Sequence, residues 1–91
     1  MKLTDSEISD RLTKLPGWTL DGNALYRKFE FSGFPQAFAF MTAVALHAQR
    51  MDHHPDWSNV YNKVEIRLSS HDVGGISDRD FRLANLIDSA V

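Results

Sequence analysis

The chain has 91 residues, 43% of them hydrophobic, a formal net charge of -2 and no cysteine. That is enough for one domain with a modest core, and too hydrophobic for a disordered segment. Disulfides, thiolate nucleophiles and cysteine-ligated metal sites are excluded. With a pI of about 6.0, the chain also lacks the basic surplus on which nucleic-acid affinity depends.

No linker, repeat or low-complexity segment interrupts the chain, so a single domain over residues 1–91 is expected. The opening Met1-Lys2-Leu3-Thr4-Asp5-Ser6-Glu7 turns polar and acidic at once, unlike a secretory signal. The most apolar stretch, Phe34 to Ala48, is shorter than a membrane-spanning helix. The expectation is a cytoplasmic protein with no membrane or nucleic-acid partner.

Thr4 to Leu12 reads as a short helix, because Thr4 and Glu7 have capping-box spacing, with Ile8 and Leu12 turned inward. Pro16-Gly17 ends it. Trp18 to Leu20 is a short strand, Asp21-Gly22-Asn23 a turn, and Leu25 to Phe31 the returning strand. Leu25, Arg27, Phe29 and Phe31 share one face, and Tyr26, Lys28 and Glu30 the other.

Gly33-Phe34-Pro35 opens a long helix running to about Met51, with proline in the first turn, where its missing N–H costs little. Phe34, Phe38, Met41, Ala45 and Ala48 form one apolar stripe, and Phe40, Val44 and Met51 a second. One stripe suffices to cover a sheet, so two predict another subunit against the helix. Packing on the first helix is the plainer alternative.

Trp57 to Tyr61 and Lys63 to Ser70 read as a second hairpin, with Val64, Ile66 and Leu68 inward. A loop with Gly74-Gly75 follows. Ser77 and Asp80 then have the spacing to cap a last helix that buries Phe81, Ala84 and Ile87. The order αββαββα, with two hairpins and no parallel crossover, predicts an α+β layer: an antiparallel sheet with helices on one face.

Chemistry concentrates in Asp52-His53-His54-Pro55-Asp56-Trp57 and in His71. Imidazole exchanges protons near neutral pH, so three such groups bracketed by carboxylates suggest proton transfer. Pro55 keeps His54 extended, which turns neighbouring side chains to opposite sides. The two imidazoles then line two walls of one cleft, and the strand ending at His71 returns it to their neighbourhood. A metal site fits less well, because adjacent histidines rarely close one tetrahedral site and no cysteine completes a set. His47 has no clean partner on its helix. Trp18 and Trp57 read either as core aromatics or as walls for a flat ring. Asp80 either caps the last helix or orients a histidine by hydrogen-bonding one ring nitrogen.

The run Gln49 to Asp80 resembles the pterin-4a-carbinolamine dehydratases. The resemblance rests on His53-His54-Pro55, Trp57, Asn59-Val60-Tyr61-Asn62-Lys63-Val64, Leu68-Ser69-Ser70-His71 and Gly75-Ile76-Ser77-Asp78-Arg79-Asp80. It extends outward through Gly17-Trp18 and Phe38-Ala39-Phe40-Met41-Thr42. It implies a four-stranded antiparallel sheet with three helices on one face. It also implies dehydration of 4a-hydroxytetrahydropterin to quinonoid dihydropterin, which recycles the cofactor of aromatic amino acid hydroxylases. The reaction needs no metal and no cofactor beyond the pterin, which is itself the substrate. The family's active-site histidines fall on His53, His54 and His71, its pocket tryptophan on Trp18, its acidic residue on Asp80 and its motif proline on Pro55. Trp57 and Gln49 complete the expected pterin-binding set. The family often has a carboxylate where Gln49 stands, which would favour the charged form of a nearby histidine; glutamine can hydrogen-bond but brings no charge. The resemblance further implies a homodimer or homotetramer through helix 34–51 and the sheet edge. Members in animals also bind a transcription factor and stabilise its dimer, so a protein-binding module is the alternative function.

Overall fold

The computed structural model describes residues 1–91. The elements run α1 (Asp5–Leu12), β1 (Thr19–Asp21), β2 (Ala24–Glu30), α2 (Phe34–Met51), β3 (Asp56–Val60), β4 (Lys63–Leu68) and α3 (Asp78–Ser89), with one 3-10 turn at His71–Val73. Both expected capping boxes form, Thr4 with Glu7 on α1 and Ser77 with Asp80 on α3. The strands make one antiparallel sheet in the order β1-β2-β4-β3. Two-residue loops close both hairpins. Gly22, at φ +60°, takes the first place in one; Tyr61, at φ +53°, does so in the other.

Period-two alternation fixes which face is covered. Leu25, Phe29, Val64, Ile66 and Leu68 are buried, while Lys28, Glu30, Lys63 and Arg67 stand in solvent. The helices lie on the apolar face: Ile8 of α1, Ala37, Phe40, Val44 and Ala48 of α2, and Phe81, Leu83, Ala84 and Ile87 of α3 join the same core. The α+β arrangement expected from the element order is therefore present.

The stripes of α2 need correction. Ala48, which sequence spacing groups with Phe34 and Phe38, is 1% exposed and belongs with Phe40 and Val44. At 3.6 residues per turn, Ala37, Phe40, Val44 and Ala48 fall in one row over the sheet and α3. Phe34 and Phe38 meet in a tilted contact along the outer face, 5.6 Å between ring centroids, and remain about half exposed.

Candidate active site

The C-terminus of α2 sets the first histidine. Asp52 ends the helix in the left-handed conformation, φ 51° and ψ 43°. Its N–H reaches the Gln49 carbonyl at 3.1 Å, and the His53 N–H reaches the Ala48 carbonyl at 3.0 Å. These are the two bonds of a Schellman turn, built with aspartate where glycine is usual. The turn folds His53 back against the start of α3, where it is buried.

There it meets Asp80, a carboxylate with no exposed surface. His53 Nε2 and Asp80 Oδ1 lie 2.5 Å apart. Asp80 Oδ2 accepts from the Ser77 N–H and the Ser70 hydroxyl, both at 2.9 Å. The Ser70 and Ser77 hydroxyls are 2.6 Å apart. A buried charge is tolerated only when its lone pairs are filled, and here three donors fill them. One residue thus caps α3 and holds a histidine; the two roles open in the sequence are both realised. Because the carboxylate only accepts, it assigns the ring proton to Nε2. Nδ1 of His53 has no protein partner, and no buried side-chain nitrogen or oxygen in the chain lacks one. Nδ1 therefore reaches solvent.

His54 turns the opposite way, as the extended backbone before Pro55 requires. It is exposed, and its Nε2 donates to Gln49 Oε1 at 3.0 Å. His71 is exposed and begins the 3-10 turn beyond β4. Reciprocal backbone bonds between Ser70 and Gly75, at 2.7 and 3.3 Å, pin the loop that carries it. All three histidines line one open hollow of about 600 Å³. Asp52, Ser69, Asp72 and Arg79 complete its wall. Arg79 donates to both carboxylate oxygens of Asp72, at 2.7 and 2.9 Å, and holds that carboxyl below the usual carboxylate range.

Five of the expected site residues stand outside this wall. Asp80 and Gln49 meet it only through their hydrogen bonds to His53 and His54. Pro55 shapes the backbone and is half-buried. Trp57 points to the core side of β3 and packs on its margin. Trp18, expected as a wall for a flat ring, lies in the core: it is 3% exposed, edge-on to Phe29, with its indole N–H donated to Asp88 at 2.9 Å. A ring enclosed this way has no free face to stack. Sequence reasoning misses Asp52, Ser69, Asp72 and Arg79 as wall residues. The acidic bracket at Asp52 and the motif runs through Ser69 and Arg79 offer the available signals. No three His, Asp or Glu side chains are arranged to share one metal ion.

Residues 1–90 match the family model for pterin 4 alpha carbinolamine dehydratase. The chain belongs to that family. It is 54% identical over 86 residues to a Prochlorococcus marinus protein that carries the pterin-4-alpha-carbinolamine dehydratase name, covering 94% of this chain and 90% of the relative. A Paraburkholderia xenovorans protein of the same name is 51% identical over 90 residues, covering 97% and 94%. Among solved structures, a transcriptional coactivator/pterin dehydratase from Brucella melitensis superposes with a TM-score of 0.95 at 39% identity, over 99% of this chain and 98% of that one. The fold is also shared, at a TM-score of 0.66 and 22% identity over 80% of this chain and 84% of the other, by a pterin dehydratase-like protein described as a RuBisCO assembly factor.

Proposed function

We propose that this hollow dehydrates 4a-hydroxytetrahydropterins to quinonoid dihydropterins, and so recycles the cofactor of aromatic amino acid hydroxylases. The observation that carries the reading is the meeting of His53, His54 and His71 around one open hollow, with His53 held by a buried carboxylate. The substrate has a hydroxyl on C4a beside N5–H. One proton goes to the departing hydroxyl, the C4a–O bond breaks, and the N5 proton is removed as the C4a–N5 double bond forms. The products are water and the quinonoid pterin. No electrons change hands, so the step calls for no redox cofactor.

His53 and His71 act as the acid and base pair, and His54 binds and polarises the substrate. Proton-transfer groups need a free nitrogen aimed at the substrate, and His53 Nδ1 is free because Asp80 occupies Nε2. Asp52 and the Asp72–Arg79 pair offer acceptors and a donor suited to the amino and oxo groups on the pyrimidine edge of a pterin.

The reading extends to assembly as a homodimer or homotetramer. Phe34, Phe38 and Leu46 are 45, 55 and 57% exposed on the outer face of α2, and one long helix carrying two apolar faces is suited to a second copy. The unpaired sides of β1 and β3 give the sheet an edge for the same purpose. The same helix face favours one other reading, a module that binds and dimerises a transcription factor. A dehydratase assay on the purified protein, with EDTA and no added metal, separates the two. Turnover supports the enzyme. Complex formation with a helical partner and no turnover would favour the adaptor.

A further inference from the structure

A smaller hollow of about 270 Å³ adjoins the one that holds the histidines. The two share Ser69 and His71, so the imidazole of His71 stands between them. The rest of the smaller wall is Asn23, from the tip of the β1–β2 hairpin, and the backbone of Gly74 and Gly75. No charged side chain lines it. Gly74 ends the 3-10 turn at φ +70°, a conformation that glycine adopts freely. A Cβ built there meets no atom within 4 Å, so it would stand in open space.

We infer that this second hollow is a subsite for the substituent on C6 of the pterin, and that Asn23 reads a short hydroxylated chain there. The inference rests on the dehydratase reading above. In a pterin, C6 is bonded directly to N5, the atom that loses its proton. If His71 serves N5, the C6 substituent must leave the ring within a bond's length of that contact. It then passes His71 into the smaller hollow. A carboxamide donates and accepts, which matches hydroxyl groups, and the open space at Gly74 leaves width for the carbon chain. The hairpin closed by Gly22-Asn23, far from the histidines in sequence, thereby becomes a specificity element.

The test compares two carbinolamines, one carrying a 1,2-dihydroxypropyl group on C6 and one a methyl group. Asn23→Ala should raise KM for the first by roughly 3- to 10-fold, the loss of one neutral hydrogen bond. It should leave KM for the methyl substrate and both kcat values unchanged. Gly74→Asn, which tolerates the left-handed backbone, adds a side chain at the wall of the smaller hollow and should show the same split. Equal changes for both substrates, or none for either, in variants with the wild-type urea midpoint would overturn the subsite. Wild-type protein that dehydrates neither substrate would instead overturn the parent reading, and the subsite with it.

Discussion

His53 and Asp80 are 27 residues apart in the chain and 2.5 Å apart in space, Nε2 to Oδ1. The contact joins the turn after α2 to the first turn of α3, and Asp80 brings to it the bonds that cap α3. On the proposed dehydratase reading, stability and chemistry therefore share one carboxylate, and a substitution there should disturb both.

Asp80→Asn keeps the volume but replaces an acceptor with an NH2 group. Facing His53, that group forces the ring proton from Nε2 to Nδ1 and removes the free lone pair. Facing Ser70 and Ser77, it opposes two donors. The first outcome should lower kcat by roughly 100-fold, the scale of one proton-transfer group; the second keeps an acceptor on Nε2 and falls on stability instead. A buried bond lost should also cost about 1–3 kcal/mol in urea unfolding. Wild-type kcat together with wild-type stability in Asp80→Asn would sink the account of this carboxylate.

His71 provides the contrast. It is exposed and bonds no other side chain, so His71→Ala should leave the free energy of urea unfolding within about 0.5 kcal/mol of wild type. Turnover should fall roughly 100- to 10,000-fold. Activity lost without stability, set beside the double loss at Asp80, separates a group that meets substrate from one that works through a neighbour. An active His71→Ala enzyme would remove that imidazole from the reaction.

Much of this architecture is legible from residue order. The capping boxes at Thr4 and Ser77, the proline opening α2 and the alternation in β2 and β4 are local signals, each set by backbone chemistry within a few residues. The histidine cluster is legible because imidazole is scarce and its spacing distinctive. Trp18 is not. Its surroundings depend on Asp88 and Phe29, which sequence order does not bring near it. Arg79 and Asp72 are hidden for a related reason: a charged pair seven residues apart reads as ordinary surface until a 3-10 turn and a cap set both at one rim. In α2, packing decides the register of Ala48, since alanine fits either stripe.

Trp18 carries a prediction that follows from its true position. Trp18→Phe loses the indole bond to Asp88, although Arg27 still donates to that carboxylate at 2.8 Å. The change should cost about 1–2 kcal/mol of stability, measured by urea unfolding. KM for the pterin should stay within twofold of wild type. A large rise in KM with stability intact would return Trp18 to the substrate site.

The rim pair gives a pH dependence of definite sign. Arg79 lowers the Asp72 carboxyl, first through its hydrogen bonds and then through its charge. A carboxyl lowered by folding contributes its bond at every pH above its ordinary value of 3.8 and loses it only as pH falls through the lowered value. KM should therefore not change on account of this pair between about pH 5 and 8, where carboxylates stay charged. In Asp72→Asn, KM should change at neutral pH as Arg79 loses its charged partner. Equal KM in the two proteins at about pH 7 would show that the pair does not shape the substrate site.

The outer face of α2 leads to the last prediction. Phe38 is 55% exposed and its one aromatic contact is with Phe34, so Phe38→Glu removes little from the fold of one chain. A charge in the middle of a self-association face is a different matter, because burying it unpaired costs several kcal/mol. Sedimentation velocity should find wild-type protein as a dimer or tetramer and Phe38→Glu as a monomer. Circular dichroism of the variant should keep the wild-type helix content. The hollow is built within one chain, from the end of α2, the loop after β4 and the start of α3. A monomeric Phe38→Glu protein should accordingly retain turnover within about an order of magnitude, the range of an indirect effect on a site whose groups are all present. An oligomer that persists in the variant would move the contact to another surface, with the edges of β1 and β3 the next place to look.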